Sequence, residues 1–136
     1  MAEITDDMKQ VAEKAEVFNV ATATKNGAPN VVPISFAKVL SDDELLLMDS
    51  FMRKTIENIK TNPRVAISVW EKRIGGSIGY QFKGSARIET SGRVFDEGVR
   101  WVRDIEPDLS PKAAIIVTVD SIYMTTPGPD AGKQLE

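Results

Sequence analysis

Three side chains able to bind an anion stand next to one another in the stretch SFMRKTIEN, at Arg53, Lys54 and Thr55. Arginine offers a planar fork of donors, lysine a point charge and threonine a hydroxyl proton, and together they can neutralise a phosphate dianion. The flanking pattern predicts a helix start here, so that backbone N–H groups at 51–55 point outward as well. The alternative is a solvated basic surface. Spacing alone slightly favours that alternative, because the helix dipole penalises such cations by only about 0.3–1 kcal/mol.

Composition excludes several kinds of chemistry. The 136 residues include no cysteine and no histidine, which removes disulfides, thiolate and imidazole metal ligands, cysteine nucleophiles and a Ser-His-Asp triad. No loop has the oxygen-ligand spacing of a calcium site, so no metal site is predicted. The net charge of −3 argues against a broad nucleic-acid surface. An enzyme of this composition would depend on an imported cofactor for difficult chemistry.

Hydrophobic periodicity predicts a mainly β domain with flanking helices. The first helix carries the apolar stripe of Ile4, Met8 and Val11, the second begins after a cap at Asp49 or Ser50, and the third follows the central glycine-containing strand. Six strands are predicted, at 17–24, 30–40, 45–49, 64–70, 80–89 and 113–124. Short links between strands favour a small antiparallel barrel, and an open antiparallel sheet with helices on one face is the weaker option.

The chain is predicted to form a single domain over residues 1–126, followed by a flexible tail at 127–136. The tail is rich in proline, glycine and charge. Its GPDAGK segment falls one residue short of a nucleotide-binding loop, so a tail is the preferred interpretation. The charged N-terminus shows no secretion signal, and the apolar run at 113–119 is too short to cross a bilayer. A cytoplasmic protein without membrane contact is therefore expected.

Around the basic cluster, the order of motifs resembles the pyridoxamine 5′-phosphate oxidase-like, FMN-binding split-barrel family. The matching features are RKT at a helix start, then ENIKTNPRVAISVW, with VATATKNGAPNVVPISFAKV before them and FKGSARI after them. Each motif alone is weakly specific, whereas their order and spacing are fairly specific. The resemblance covers roughly residues 15–125.

This resemblance implies a six-stranded antiparallel split β-barrel that forms a homodimer and holds FMN at the subunit interface. By position, Arg53, Lys54 and Thr55 would bind the 5′-phosphate. Other residues would surround the ribityl chain and ring: Val32, Pro33, Ile34 and Ser35 on one strand, Met48, Asp49 and Ser50 on the neighbouring wall, and Gln81 from the partner subunit. Trp70 is placed evenly between ring contact and packing in a core or interface.

Proline at position 33 has two interpretations. It lacks an N–H and so leaves a gap in the strand's ladder that a flavin edge could use, but an ordinary edge-strand proline is more common. The absence of histidine, together with the dissimilar C-terminus, argues against a vitamin B6 oxidase. The predicted function is an FMN-dependent oxidoreductase with no assigned catalytic residue, reduced by a nicotinamide, a deazaflavin or a protein partner. The alternatives are a non-catalytic carrier of FMN or another phosphorylated ligand, and a structural interaction domain.

Overall fold

Seven strands and three helices make up residues 2–136, the part of the chain that the computed structural model describes. In chain order they are α1 (Asp6–Lys14), β1 (Phe18–Ala23), β2 (Pro29–Ile34), β3 (Ala37–Ser41), β4 (Glu44–Asp49), α2 (Lys54–Thr61), β5 (Arg64–Arg73), β6 (Gly76–Glu89), α3 (Arg93–Ile105) and β7 (Ala113–Met124). All strand pairs are antiparallel, in the order β2-β1-β5-β6-β7-β4-β3. Within these residues, no helix has both the length and the apolarity that a membrane crossing needs.

The predicted second strand, residues 30–40, is two strands, so the sheet has seven strands rather than six. β2 pairs with β1 while β3 pairs with β4, and these partners lie near opposite ends of the sheet. One straight strand cannot reach both partners, so the chain bends at Ser35 and Phe36. Since only this bend separates the two outermost strands, the sheet must curve round towards itself, as in a split barrel.

Two apolar layers hold the sheet together. The inner layer includes the fully buried side chains of Phe18, Ile67 and Phe82, and α1 packs against it through Met8 and Val11. The outer layer packs α3 against β4 and β7, with a core of Leu46, Met48, Val102, Ala114 and Ile116. Full burial of each such side chain contributes about 1.5–3 kcal/mol. Both faces of β4 and β7 are therefore covered, which explains their nearly continuous apolar sequences.

The shortest helix, α2, lies against β1 and β2. Its buried residues are Thr55, Asn58 and Ile59, two of which are polar. It ends before Pro63, and Asn62 beyond its last turn adopts extended backbone angles, as expected for a residue before proline. The buried face of α2 is therefore mixed, with the polar Thr55 and Asn58 beside the apolar Ile59.

The C-terminal segment, predicted to be a flexible tail, returns along β7. The Gly132 N–H donates to the Met124 carbonyl and the Leu135 N–H to the Ile122 carbonyl, both at 2.7 Å. Leu135 also packs against the inner core. Residues near the end of the segment thus pair with the last residues of β7, through the bridge between Tyr123 and Gln134. β4 pairs only with the first half of β7, residues 113–118.

Candidate functional site

A cavity of about 500 Å³ opens where α2 begins. One wall is β2 and the bend after it, and the other is the end of β4 with the turn that leads into α2. The lining residues are Asn30, Val32, Pro33, Ile34, Ser35, Phe36, Met48, Ser50, Phe51, Met52, Arg53, Lys54, Thr55 and Leu109. Its volume falls within the range of about 300–1,000 Å³ that is typical of ligand sites.

The polar end of the cavity is basic. Arg53 and Lys54 are exposed and line it, and neither forms a salt bridge with any residue in the described range 2–136. Other exposed cations differ in this respect: Arg87 and Arg93 have a carboxylate partner, whereas Arg100 and Arg103 have none within residues 2–136 and lie outside the cavity. The two cations therefore remain available to an anion in the cavity.

Backbone donors add to this positive end. The first helical hydrogen bond runs from the Glu57 N–H to the Arg53 carbonyl, 3.0 Å, so the N–H groups of residues 54–56 lack acceptors within the helix. The structure begins the helix later than the sequence analysis placed it. The donors at the helix start are accordingly those of 54–56 rather than 51–55, and no side chain caps them.

Thr55 completes the set of donors. Its residue is only 2% exposed, yet it lines the cavity. Its Oγ1 accepts a hydrogen bond from Asn30 Nδ2 at 3.2 Å, and among residues 2–136 the hydroxyl proton has no acceptor. A hydroxyl whose oxygen is occupied and whose proton is unused is suited to donate to an anion.

The apolar part of the cavity lies along β2 and the β2–β3 bend. Val32 and Ile34 are half-buried there, while Pro33 is exposed on the outermost strand of the sheet. The edge-strand interpretation of Pro33 is thus correct for its position, and its carbonyl remains an acceptor near the cavity. Phe36 and Leu109 extend the apolar lining towards α3.

All of the predicted site residues line this cavity except Asp49, Trp70 and Gln81. Asp49 differs from its predicted place on the wall: it is 2% exposed and lies beneath the turn before α2. There its Oδ1 accepts from the Met52 N–H at 2.8 Å, because a buried carboxylate needs donors, and so it stabilises that turn instead of capping the helix. Trp70 on β5 and Gln81 on β6 lie elsewhere on the chain, and their contact with a cofactor stays a prediction that requires a partner subunit.

Sequence reasoning missed five lining residues, namely Asn30, Phe36, Phe51, Met52 and Leu109. Phe51 carried a signal, because a large apolar residue lies two positions before the basic cluster, and the structure leaves it 80% exposed. Asn30 also carried one, since a polar residue that begins an otherwise apolar strand needs a polar partner when that strand folds. Leu109 precedes β7 in the loop after α3 and gave no local indication.

The curved antiparallel sheet, with a basic cavity at a helix start, defines a class of small split barrels. The chain belongs to the pyridoxamine 5′-phosphate oxidase family, whose sequence profile matches residues 4–126. The resemblance noted in the sequence is therefore confirmed.

Individual relatives agree with this assignment. The chain is 36% identical over 135 residues to an uncharacterized protein of Methanocaldococcus jannaschii, covering 98% of this chain and 88% of that protein. It is 27% identical over 124 residues to an FMN-binding protein of Nitratidesulfovibrio vulgaris, covering 85% and 93%.

Solved structures share the fold. The HupZ protein of Group A Streptococcus superposes with a TM-score of 0.80 at 27% identity, covering 95% of this chain and 99% of that one. HutZ of Vibrio cholerae, described as a heme storage protein, superposes with a TM-score of 0.67 at 14% identity, covering 90% and 94%. At that identity HutZ shows the fold alone. The predicted split-barrel class is confirmed, with the strand count corrected to seven.

Proposed function

We propose that this protein binds FMN non-covalently, with the 5′-phosphate at the start of α2. The observation that carries the proposal is the convergence of Arg53, Lys54 and the Thr55 hydroxyl on one cavity, with no ion-pair partner for either cation among residues 2–136. Three unpaired donors of this kind match a doubly charged oxyanion. A neutral ligand would leave them without a partner.

The rest of the cavity fits the remainder of that cofactor. Val32 to Ser35 would follow the ribityl chain and one ring edge, and Met48 and Ser50 would form the opposite wall. Phe36 and Leu109 offer apolar surface to a planar ring. Bound FMN would supply electron or hydride transfer, so the proposed activity is that of an oxidoreductase. This chain contributes orientation and shielding, and a nicotinamide, a deazaflavin or a redox protein would supply electrons.

Haem fits the chain less well than FMN. Haem proteins hold iron through histidine, cysteine, methionine or tyrosine. This chain has neither of the first two, and the two methionines of the cavity, Met48 and Met52, are buried at 4% and 9% exposure. The cavity's polar end is also more suited to a phosphate than to an iron ligand, because its donors are cations and N–H groups. The fold that it shares with the heme storage protein HutZ therefore does not transfer that ligand.

We extend the proposal to a homodimer with FMN at the subunit interface. Phe51 at the cavity mouth is 80% exposed and Val31 on the outermost strand is 65% exposed. Trp70 is 51% exposed and, like Gln81, lies outside the cavity of its own chain. A second subunit would cover the apolar side chains and bring a Trp70 or Gln81 towards the flavin. Light scattering of the FMN-loaded protein tests this, and a monomer that holds FMN normally would contradict it.

Titration with flavins tests the phosphate site. Wild-type protein is expected to bind FMN more tightly than riboflavin. Arg53→Ala combined with Lys54→Ala should lower FMN affinity by about a hundredfold or more, since each charge-assisted contact is worth about 1.5–3 kcal/mol. Riboflavin affinity should hardly change.

A matched control removes the same charge elsewhere. Arg100→Ala with Arg103→Ala takes two exposed cations from α3, away from the cavity, and should leave FMN affinity unchanged. Equal FMN affinities for the wild type and the Arg53/Lys54 variant would contradict the phosphate assignment.

Reduction kinetics separate turnover from storage of the flavin. Stopped-flow mixing of the FMN-loaded protein with a nicotinamide, a reduced deazaflavin or a low-potential redox protein measures flavin bleaching. Rapid bleaching by one donor supports an oxidoreductase. Slow reduction by all three would favour the alternative, a non-catalytic carrier of FMN or of another phosphorylated ligand.

A further inference from the structure

The polar side chains beneath the cavity form a connected hydrogen-bond network. Asn30 on β2 lies directly across from Thr22 on β1 in the strand register. Asn30 Nδ2 donates to Thr22 Oγ1 at 3.4 Å and to Thr55 Oγ1 at 3.2 Å, and Asn58 Nδ2 donates to Thr22 Oγ1 at 3.0 Å. The network therefore joins two strands to the first two turns of α2.

Its members are mostly shielded from water. Thr22 is 4% exposed, Thr55 2% and Asn58 7%, while Asn30 is half-buried and lines the cavity. Polar groups this deeply buried need partners, and removal of one leaves the other at a cost. Asn30 is the only member apart from Thr55 that reaches the cavity.

The direction of these hydrogen bonds determines what Thr55 can do. An amide nitrogen has two protons and accepts nothing, and Asn30 Nδ2 directs its protons to two hydroxyl oxygens. Thr55 Oγ1 is thereby made an acceptor towards β2. Its own proton must then point away from Asn30, and the cavity is the open side of the residue.

We infer that Asn30 is a positioning residue for the phosphate site, holding the Thr55 hydroxyl so that its proton is donated to a phosphate oxygen. The inference rests on the proposed function and goes beyond it, because it assigns FMN-over-riboflavin selectivity partly to a residue on β2. Asn30 acts through Thr55, and the unused carbonyl of its amide need not touch the ligand.

Replacing the amide by a carboxylate reverses the direction of the hydrogen bond. In Asn30→Asp, a carboxylate oxygen accepts the Thr55 proton, so the hydroxyl no longer donates to the ligand, and a negative charge stands near the phosphate. Asn30→Ala removes the orientation without adding charge. FMN affinity should fall about tenfold in Asn30→Ala and further in Asn30→Asp, while riboflavin affinity stays within about twofold.

The experiment measures FMN and riboflavin affinities for each variant by fluorescence titration, so that the ratio isolates the phosphate. Asn62→Ala is the matched control. Asn62 Nδ2 donates to the Thr24 carbonyl at 3.4 Å and so connects the end of α2 to the β1–β2 turn, but Asn62 lies outside the cavity. This variant should lose stability without changing the ratio. Thr55→Val should abolish the difference that Asn30→Ala makes.

Each outcome decides one statement. An unchanged FMN-to-riboflavin ratio in Asn30→Asp, in a wild-type protein that clearly prefers FMN, overturns the positioning role while leaving the phosphate site intact. A wild-type protein without that preference overturns the proposed function instead. If Asn30→Ala does not fold, Asn30→Asp is measured with and without Thr55→Val, which separates the effect of the added charge from the loss of the Thr55 proton.

Discussion

The Asp49 carboxylate accepts a hydrogen bond from the backbone N–H of Met52, with 2.8 Å between Oδ1 and N, although Asp49 is 2% exposed. Lys112 contacts the same turn: its Nζ lies 3.9 Å from Asp49 Oδ1 and donates to the Met52 carbonyl at 3.4 Å. The turn that delivers the basic cluster to the cavity is therefore held by residues that do not line the cavity themselves.

The first prediction follows from this turn. Asp49→Ala should lower the free energy of unfolding by about 1–3 kcal/mol, because the buried Met52 N–H loses its acceptor. Asp49→Asn should cost less, since an amide oxygen can still accept that hydrogen bond. Urea denaturation measures both, and equal stability of the alanine variant and the wild type would refute the role given to the carboxylate.

Salt should affect FMN binding and riboflavin binding differently. Added salt shortens the screening length from about 10 Å at 0.1 M to about 3 Å at 1 M, and Arg53 and Lys54 are exposed to that solvent. FMN affinity should fall across this range while riboflavin affinity stays nearly constant. Isothermal titration at several salt concentrations provides the comparison, and parallel curves for the two flavins would count against a charged contact.

Gly84 occupies a place in β6 that tolerates no side chain. A Cβ there would overlap the Thr118 carbonyl oxygen of β7, at the point where the pairing register of the two strands shifts. Gly84→Ala should therefore destabilise the domain by about 1–3 kcal/mol or more.

Gly98 provides the control for that substitution. A Cβ at Gly98 meets the thioether end of Met48, a flexible side chain that can move, and alanine favours the α3 helix. Gly98→Ala should be markedly less destabilising in thermal and urea unfolding. The reverse ranking would show that β6 and β7 can separate locally.

Acid should weaken the ion cluster around Glu71 of β5, whose side chain is 10% exposed while its partners Arg73 and Lys14 are exposed. Arg73 donates to Glu71 from Nε and from a terminal nitrogen at 2.9 and 2.7 Å, and this bonding, helped by Lys14, holds the pKa of Glu71 below its usual value. A lowered pKa stabilises the fold above the unfolded-state pKa, and that contribution disappears as the pH falls through the folded-state pKa. The stability difference between the wild type and Glu71→Gln should thus shrink in acid. Glu97→Gln on α3 makes the same charge change in an exposed ion pair. The difference in unfolding free energy between the wild type and this variant should be smaller at neutral pH than the difference for Glu71→Gln.

Amide exchange tests the predicted flexibility of residues 127–136. The N–H groups of Gly132 and Leu135 are bonded to β7, whereas those of Gly128 and Asp130 have no hydrogen bond within residues 2–136. Protection should therefore be high at 132 and 135 and low at 128 and 130. Uniformly fast exchange would show that the whole segment moves freely.

Local patterns in the sequence located the helices and most of the strands, but not the strand pairing or the division of residues 30–40. Apolar periodicity located the three helices, and the cluster at Arg53, Lys54 and Thr55 marked the start of α2. The division of residues 30–40 into β2 and β3 depends on partners far along the chain, and no local pattern reports that. The same limit explains Asn30: its importance comes from Thr22 and Thr55, which only the folded sheet brings to it.

The free edge of β2 has a consequence for self-association. Pro29, Val31 and Pro33 are alternate residues of β2, so their backbone groups lie at the same edge of the strand. Because proline has no N–H, only Val31 of these three can donate a backbone hydrogen bond from that edge. A second copy cannot continue the sheet across this edge with a regular backbone ladder. Contact between two barrels on that side must be made by side chains, which allows the barrels to meet without the risk of open-ended fibril growth.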